Sequence, residues 1–146
     1  MRPQHLNAVR VGLTLAMTAA LASAAVAETV SYKADLKAAS EVPANSSTGT
    51  GSAAATFDTA SKMLNWTVTF SGLTGAATAA HFHGPAEVGK NAGVAVPITG
   101  TVSPMAGSAT LTDAQAADLK AGKWYVNVHT AANKDGEIRG QVVAGK

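Results

Sequence analysis

The chain has 146 residues and no cysteine, and its 11 Lys and Arg face 9 Asp and Glu, a formal net charge of +2 at pH 7. Arg2 and Arg10 belong to a leader that we expect to be removed, so the mature chain carries no formal net charge. Nucleic acids and anionic membrane surfaces attract clustered positive charge, and the sequence has no basic run. We therefore predict no nucleic-acid partner. Without disulfides, the domain depends on its hydrophobic core for stability.

The amino terminus has the pattern of a cleavable signal peptide. A basic start is followed by an uncharged run over residues 11–27, which is rich in Leu, Ala and Val and ends in Ala25-Val26-Ala27. An uncleaved anchor is the alternative, but a membrane span needs about 20 apolar residues and this run is shorter. The sequence predicts a signal peptide over residues 1–27, one mature domain over residues 28–146, and a periplasmic or extracellular location without membrane insertion after cleavage.

The first half of the mature chain consists of short β-prone segments separated by turn residues. Residues 29–36 and 51–57 read as strands, with a loop between them that contains Pro, Asn and Gly. Residues 62–70 are the clearest strand, because Leu, Trp, Val and Phe alternate there with Asn and Thr. One face of this strand is predicted to be core and the other wet.

The middle of the chain adds two strands and one helix. Residues 77–83 read as a strand, and Pro97 places the short strand at residues 94–98 on a sheet edge. Thr112 and Gln115 have the spacing of a capping box, and Gly122 supplies a stop. These signals predict a helix of at most about three turns in a connection between strands.

The last two strands are predicted to form a hairpin over residues 124–130 and 137–143, with Asp135-Gly136 in the turn. Alternation gives one apolar face, and the charged residues near the turn are interpreted as a solvated face with an internal ion pair: Asp135, Glu137 and Arg139. Strands at intervals of about ten residues predict an all-β, antiparallel β-sandwich, immunoglobulin-like or superoxide-dismutase-like. Its predicted core contains Trp66, Val68, Phe70, Trp124, Val126 and Val128.

Three histidines of the mature chain, His81, His83 and His129, all fall in predicted strands. Residues at i and i+2 point to the same face, so His81 and His83 are neighbours and Phe82 is buried opposite. If the strand of His129 joins the same sheet, three imidazoles converge outside the core. Such a set can bind copper or zinc with an open position for water. The alternative interpretation is that the histidines are solvated or form hydrogen bonds with loops.

Two segments together resemble the signature of the CHRD (chordin-type) domain, in its bacterial single-domain secreted form. They are Ala79-Ala-His-Phe-His-Gly-Pro-Ala86 and Trp124-Tyr-Val-Asn-Val-His-Thr-Ala-Ala-Asn-Lys-Asp-Gly-Glu-Ile-Arg-Gly-Gln141, within a similarity that runs from about residue 32 to 143. The resemblance implies an all-β domain of secreted proteins and implies no reaction. The Ala-His-Phe-His stretch is also distantly similar to the copper-ligand strand of copper-zinc superoxide dismutases, which require more histidines, a metal-binding Asp and usually a disulfide.

These observations favour an exported CHRD-domain binding or structural module without catalytic activity. The alternative is a periplasmic or extracellular copper- or zinc-binding protein that uses the three histidines. An enzyme is not predicted, because neither a paired acid and base nor an activated nucleophile is evident in the sequence. The partner is therefore expected to be a protein or a metal ion, which the sequence does not name.

Overall fold

A computed structural model describes residues 26–145 of the protein. The predicted leader lies almost wholly outside these residues, so its cleavage stays a prediction. The described chain contains one 3-10 helix at Ala38–Ser40, one α-helix, α1, at Asp113–Lys120, and the following strands: β1 Thr29–Lys37, β2 Thr50–Asp58, β3 Met63–Ser71, β4 Ala77–His83, β5 Val94–Ile98, β6 Met105–Thr110, β7 Tyr125–Thr130, β8 Ile138–Gln141 and β9 Val143–Ala144.

All of these strands pair in an antiparallel manner within one curled sheet. Their order is β5-β4-β7-β8-β1-β2-β3-β6, and β9 pairs with β1. The two ends of this path, β5 and β6, contact each other, so the sheet is nearly closed into a barrel. The all-β antiparallel prediction and the edge position of Pro97 are confirmed. A division into two packed sheets stays a prediction.

The core fills the inside of the curled sheet, because alternate residues of each strand point inward. Leu64, Trp66 and Val68 of β3 are buried there, and Trp124 and Val126 come from the segment that leads into and through β7. The predicted core is thus confirmed, except that Phe70 is only partly buried against it. The other fully buried large side chains of the core include Leu36, Phe57, Phe82, Leu119 and Ile138.

The helix forms as its capping signals predict. The Thr112 hydroxyl accepts a hydrogen bond from the Gln115 backbone N–H at 3.2 Å, and the Gln115 side chain accepts one from the Thr112 N–H at 2.9 Å. Ala116 and Leu119 attach the helix to the core. Within residues 26–145, no helix has the length and apolar character of a membrane span.

Strand β6 was absent from the sequence prediction, because its Ala, Gly and Ser residues have weak β propensity. It forms along β3, where Gly107 lies opposite Trp66. A side chain at position 107 would have its Cβ 2.7 Å from Trp66 Cζ2, so only glycine leaves room for the indole there. The predicted last strand is also divided, since β8 ends at Gln141 and β9 pairs with β1.

Candidate metal centre

Strands β4 and β7 pair directly and place the three histidines on the outer face of the sheet. His81 lies opposite Asn127, His83 lies opposite Tyr125, and His129 lies opposite Ala79. Phe82, between the first two histidines, points to the core and is 1% exposed. The condition set by the sequence, that both strands share one sheet and one outward face, is met. Whether a metal ion binds there stays a prediction.

The three rings form one cluster. His81 Nδ1 and His129 Nε2 are 3.2 Å apart, and one nitrogen from each of the three rings lies within 4.8 Å of the others. Ring centroids are 5.0 Å apart for His81 and His129 and 5.5 Å apart for His81 and His83. Two nitrogens bound to one tetrahedral zinc ion are about 3.3 Å apart, given bonds of about 2.0–2.1 Å. The His81–His129 pair is at this spacing, and the same contact is a hydrogen bond between the two rings.

Backbone carbonyl groups orient two of the rings. His129 Nδ1 is 2.8 Å from Lys134 O, and His83 Nδ1 is 3.0 Å from Ala92 O. A carbonyl oxygen only accepts hydrogen bonds, so His129 Nδ1 carries a proton, whereas His83 faces an acceptor oxygen at each of its two nitrogens. In neutral His129 the lone pair is then on Nε2, so His81 Nδ1 donates to it and has to lose this proton before both nitrogens bind one ion. Histidine ligands of metal ions commonly show this pattern, in which the second nitrogen donates to a carbonyl group.

His83 is held more tightly than the other two histidines. Its Nε2 atom is 3.0 Å from Asn127 Oδ1, and its ring stacks on Tyr125 with centroids 4.7 Å apart and planes at 4°. The ring is buried, at 8% exposure, whereas His81 and His129 are partly exposed. Coordination by His83 Nε2 therefore requires the Asn127 contact to be released.

Burial lowers the pKa of His81 below its usual value, and the neighbouring His129 and His83 lower it further. Burial also lowers the pKa of His83, although its hydrogen bonds with Ala92 and Asn127 oppose this change. The lowered pKa values favour the neutral form of both rings. Neutral imidazole is the form that binds metal ions, so protons compete less strongly for His81 and His83 than for an unperturbed histidine.

The face beside the cluster is covered rather than solvated, which corrects the sequence interpretation for Arg139. This residue is 2% exposed, and its guanidinium lies 3.4 Å from the centroid of the Tyr125 ring. It donates to Asn91 Oδ1 at 2.8 Å and to the Lys90 carbonyl. The loop between β4 and β5 therefore packs over β7 and β8. The predicted internal ion pair is absent among the described residues, and Arg139 interacts with a ring and neutral oxygens instead.

A family model for the CHRD domain matches residues 32–142. These residues make up most of the chain and include the three histidines of the cluster. The chain belongs to the CHRD domain family. Searches of curated proteins and of solved structures found no match. The resemblance seen in the sequence is confirmed, and the family supports a domain found in secreted proteins without a known enzymatic activity.

The prediction that Glu137 of this CHRD domain lies on a solvated face is also wrong, because its side chain is fully buried. Its carboxylate accepts hydrogen bonds from Ser47 Oγ and Thr130 Oγ1 at 2.5 Å, from the N–H and Oγ1 of Thr74 at 2.7 Å, and from Asn133 Nδ2 at 3.2 Å. Burial alone would raise its pKa, but these hydrogen bonds outweigh burial and lower the pKa to about 2. Glu137 joins three loops at one end of the barrel.

Steric contacts explain why two positions of the carboxy-terminal CHRD motif are glycine. Gly136 has φ of 128°, and a side chain there would collide with the carboxylate of Glu41. A side chain on Gly140 would collide with the backbone carbonyl of Asp35 on the adjacent strand β1. Gln141 donates to the carbonyl groups of Ala86 and Gly122 at 3.1 and 2.8 Å. Much of this motif thus serves the fold, whereas His129 lies at the candidate site.

Proposed function

We propose that this protein is an exported, non-catalytic CHRD binding module that holds one copper or zinc ion between His81, His83 and His129. The observation that carries this proposal is the 3.2 Å separation of His81 Nδ1 and His129 Nε2, with the third ring in the same cluster. Three imidazoles leave a coordination position open, which a water molecule or a donor group of a partner would fill.

The donor set favours copper or zinc over calcium or magnesium. Imidazole nitrogen suits both transition metals, whereas the hard cations prefer oxygen ligands. His129 is the best prepared ligand, because its Nδ1–H is held by the Lys134 carbonyl and its Nε2 faces His81. His83 completes the set when its ring exchanges the Asn127 contact for the ion.

Titration calorimetry of the mature protein with Zn²⁺ and with Cu²⁺ tests this function. We expect one ion per chain in the wild type and loss of stoichiometric binding in His83→Ala and His129→Ala. Lys134→Ala is the matched control, since it changes a side chain next to the cluster but keeps the carbonyl that orients His129. Undiminished binding by His83→Ala would show that the three-histidine assignment is wrong.

A structural role of the same cluster is the second candidate. It is favoured by the position of His83, whose two ring nitrogens lie 3.0 Å from Ala92 O in the loop before β5 and 3.0 Å from Asn127 Oδ1 on strand β7. This role predicts that metal-free His83→Ala melts at a lower temperature than metal-free wild type and that the wild type binds no stoichiometric ion. Calorimetry combined with melting curves therefore separates the two candidates.

A further inference from the structure

Asn127 is a polar side chain beside the three histidines. It lies opposite His81 on the paired strands β4 and β7, and it precedes His129 by two residues, so its side chain points to the same outer face. The residue is nevertheless only 2% exposed. A buried amide needs partners for its oxygen and for its NH₂ group, so the direction of each end shows what the amide can bind.

The NH₂ group of Asn127 points away from the histidines. Its Nδ2 atom donates to the Asp135 carbonyl at 3.4 Å. Burial raises the pKa of Glu41 to about 7, and a hydrogen bond from the Asn127 side chain opposes this rise. The amide oxygen is thereby directed at the cluster, where Oδ1 lies 3.0 Å from His83 Nε2. Outer hydrogen bonds of this kind fix the orientation of metal ligands.

His83 has fewer protons than its surroundings can accept. Its Nδ1 atom faces the Ala92 carbonyl oxygen and its Nε2 atom faces Asn127 Oδ1, each at 3.0 Å. A neutral imidazole carries one N–H, so one of its nitrogens presents a lone pair to an oxygen. When the proton is on Nδ1, lone pairs of Nε2 and Oδ1 meet. A cation between these two atoms would remove their repulsion and bind both of them.

We propose that Asn127 Oδ1 is the fourth protein ligand of the ion held by the three histidines, in place of a water molecule or a partner's donor group. The inference rests on the proposed copper or zinc function. The donors then form two pairs, His81–His129 at 3.2 Å and His83–Asn127 at 3.0 Å. Two donors on one tetrahedral ion are about 3.3 Å apart, so the ion enters with only a small expansion of each contact.

A fourth protein ligand determines what the site can do. Four-coordinate sites closed by protein ligands hold an ion, whereas catalytic sites keep a position open for water or substrate. With Asn127 bound, the ion has no exchangeable water. The inference therefore gives a physical reason for a module that holds an ion without catalysing a reaction.

Copper titration calorimetry and water-proton relaxation of the Cu²⁺-loaded mature protein test this inference. We expect one Cu²⁺ per chain in the wild type and a water-proton relaxivity close to that of the metal-free protein, because no water is bound to the ion. Asn127→Ala should still bind one Cu²⁺, with affinity lower on the order of tenfold. Its relaxivity should rise, because water takes the free position.

Two further variants serve as controls. Asn127→Asp keeps an oxygen at the same place and should keep the low relaxivity. Lys134→Ala should keep both the affinity and the relaxivity of the wild type, because the Lys134 side chain is exposed. A purely structural role of Asn127 predicts a lower melting temperature of Asn127→Ala and an unchanged relaxivity.

Two results would overturn coordination by Asn127 and leave the three-histidine function intact. One is a high relaxivity of the wild type with one Cu²⁺ bound, and the other is equal relaxivity of the loaded wild type and Asn127→Ala. Absence of bound Cu²⁺ in the wild type would contradict the proposed metal function and this inference together. If Asn127→Ala fails to fold, the relaxivity of the loaded wild type alone decides the question.

Discussion

Replacement of Glu137 by Gln is the sharpest test of the polar network at the end of the barrel. The wild-type carboxylate accepts hydrogen bonds from Ser47, Thr74, Thr130 and Asn133. An amide has one oxygen, and its NH₂ group would face donors that now point to a carboxylate. The shift of the Glu137 pKa from its usual 4.5 to about 2 corresponds to about 3 kcal/mol of stability at pH 7. We expect Glu137→Gln to lose about this amount.

The loss should depend on pH in a defined way. The folded pKa of Glu137 lies below the unfolded value, so its contribution is complete above about pH 4.5 and disappears as the pH falls towards 2. Glu41 does not interfere in this window, because its pKa is raised and it is protonated in both states below about pH 4.5. The difference in free energy of unfolding between the wild type and Glu137→Gln should therefore disappear between pH 4.5 and 2.

Urea unfolding at pH 7, 4.5 and 2.5 measures this difference. The matched control is Glu87→Gln, since Glu87 forms only an exposed ion pair with Lys123 at 3.5 Å. Exposed pairs contribute about 0–1 kcal/mol, so the control should unfold almost as the wild type does. A loss below about 1 kcal/mol in Glu137→Gln would refute the argument. Equal acid sensitivity of Glu137→Gln and wild type would refute it as well.

Three further predictions concern the core, the metal centre and the leader. Trp124→Ala should cost about 3–5 kcal/mol in urea unfolding, because the indole is fully buried; a loss below about 1 kcal/mol would contradict this. Zinc binding should weaken only below about pH 6.5, because the lowered pKa values of His81 and His83 keep both rings neutral; calorimetry showing half-maximal binding above pH 7 would be inconsistent. Intact mass of exported protein should give a first residue at or near Glu28, and retention of Met1 in membranes would disprove cleavage.

Local signals in the sequence predicted most individual elements. The strand expected at residues 62–70 is β3, Met63–Ser71, and the capping box of Thr112 begins α1. The same alternation placed His81 and His83 on one face, which the structure confirms. Each of these predictions depends on residues a few positions apart, where backbone geometry alone determines which side chains are neighbours.

The predictions failed where distant segments meet. Strand β6 exists because it pairs with β3, about 40 residues earlier in the chain, and its own residues give little indication of a strand. Arg139 and Glu137 have the alternation typical of a solvated face, yet loops from other parts of the chain cover both side chains. No short-range pattern reports that a loop will pack over the outside of a sheet.

Local sequence patterns therefore account for most of the strands, the helix, the inward faces and the histidine pair, since these depend on the two-residue and 3.6-residue periods of the backbone. Long-range packing brought His129 Nε2 within 3.2 Å of His81 Nδ1 and buried Glu41 to 5% exposure. Both features depend on the pairing of β4 with β7 and on the packing of loops at the hairpin end. Such contacts form between residues far apart in the chain, where burial and hydrogen bonding, not local propensity, set the positions of side chains.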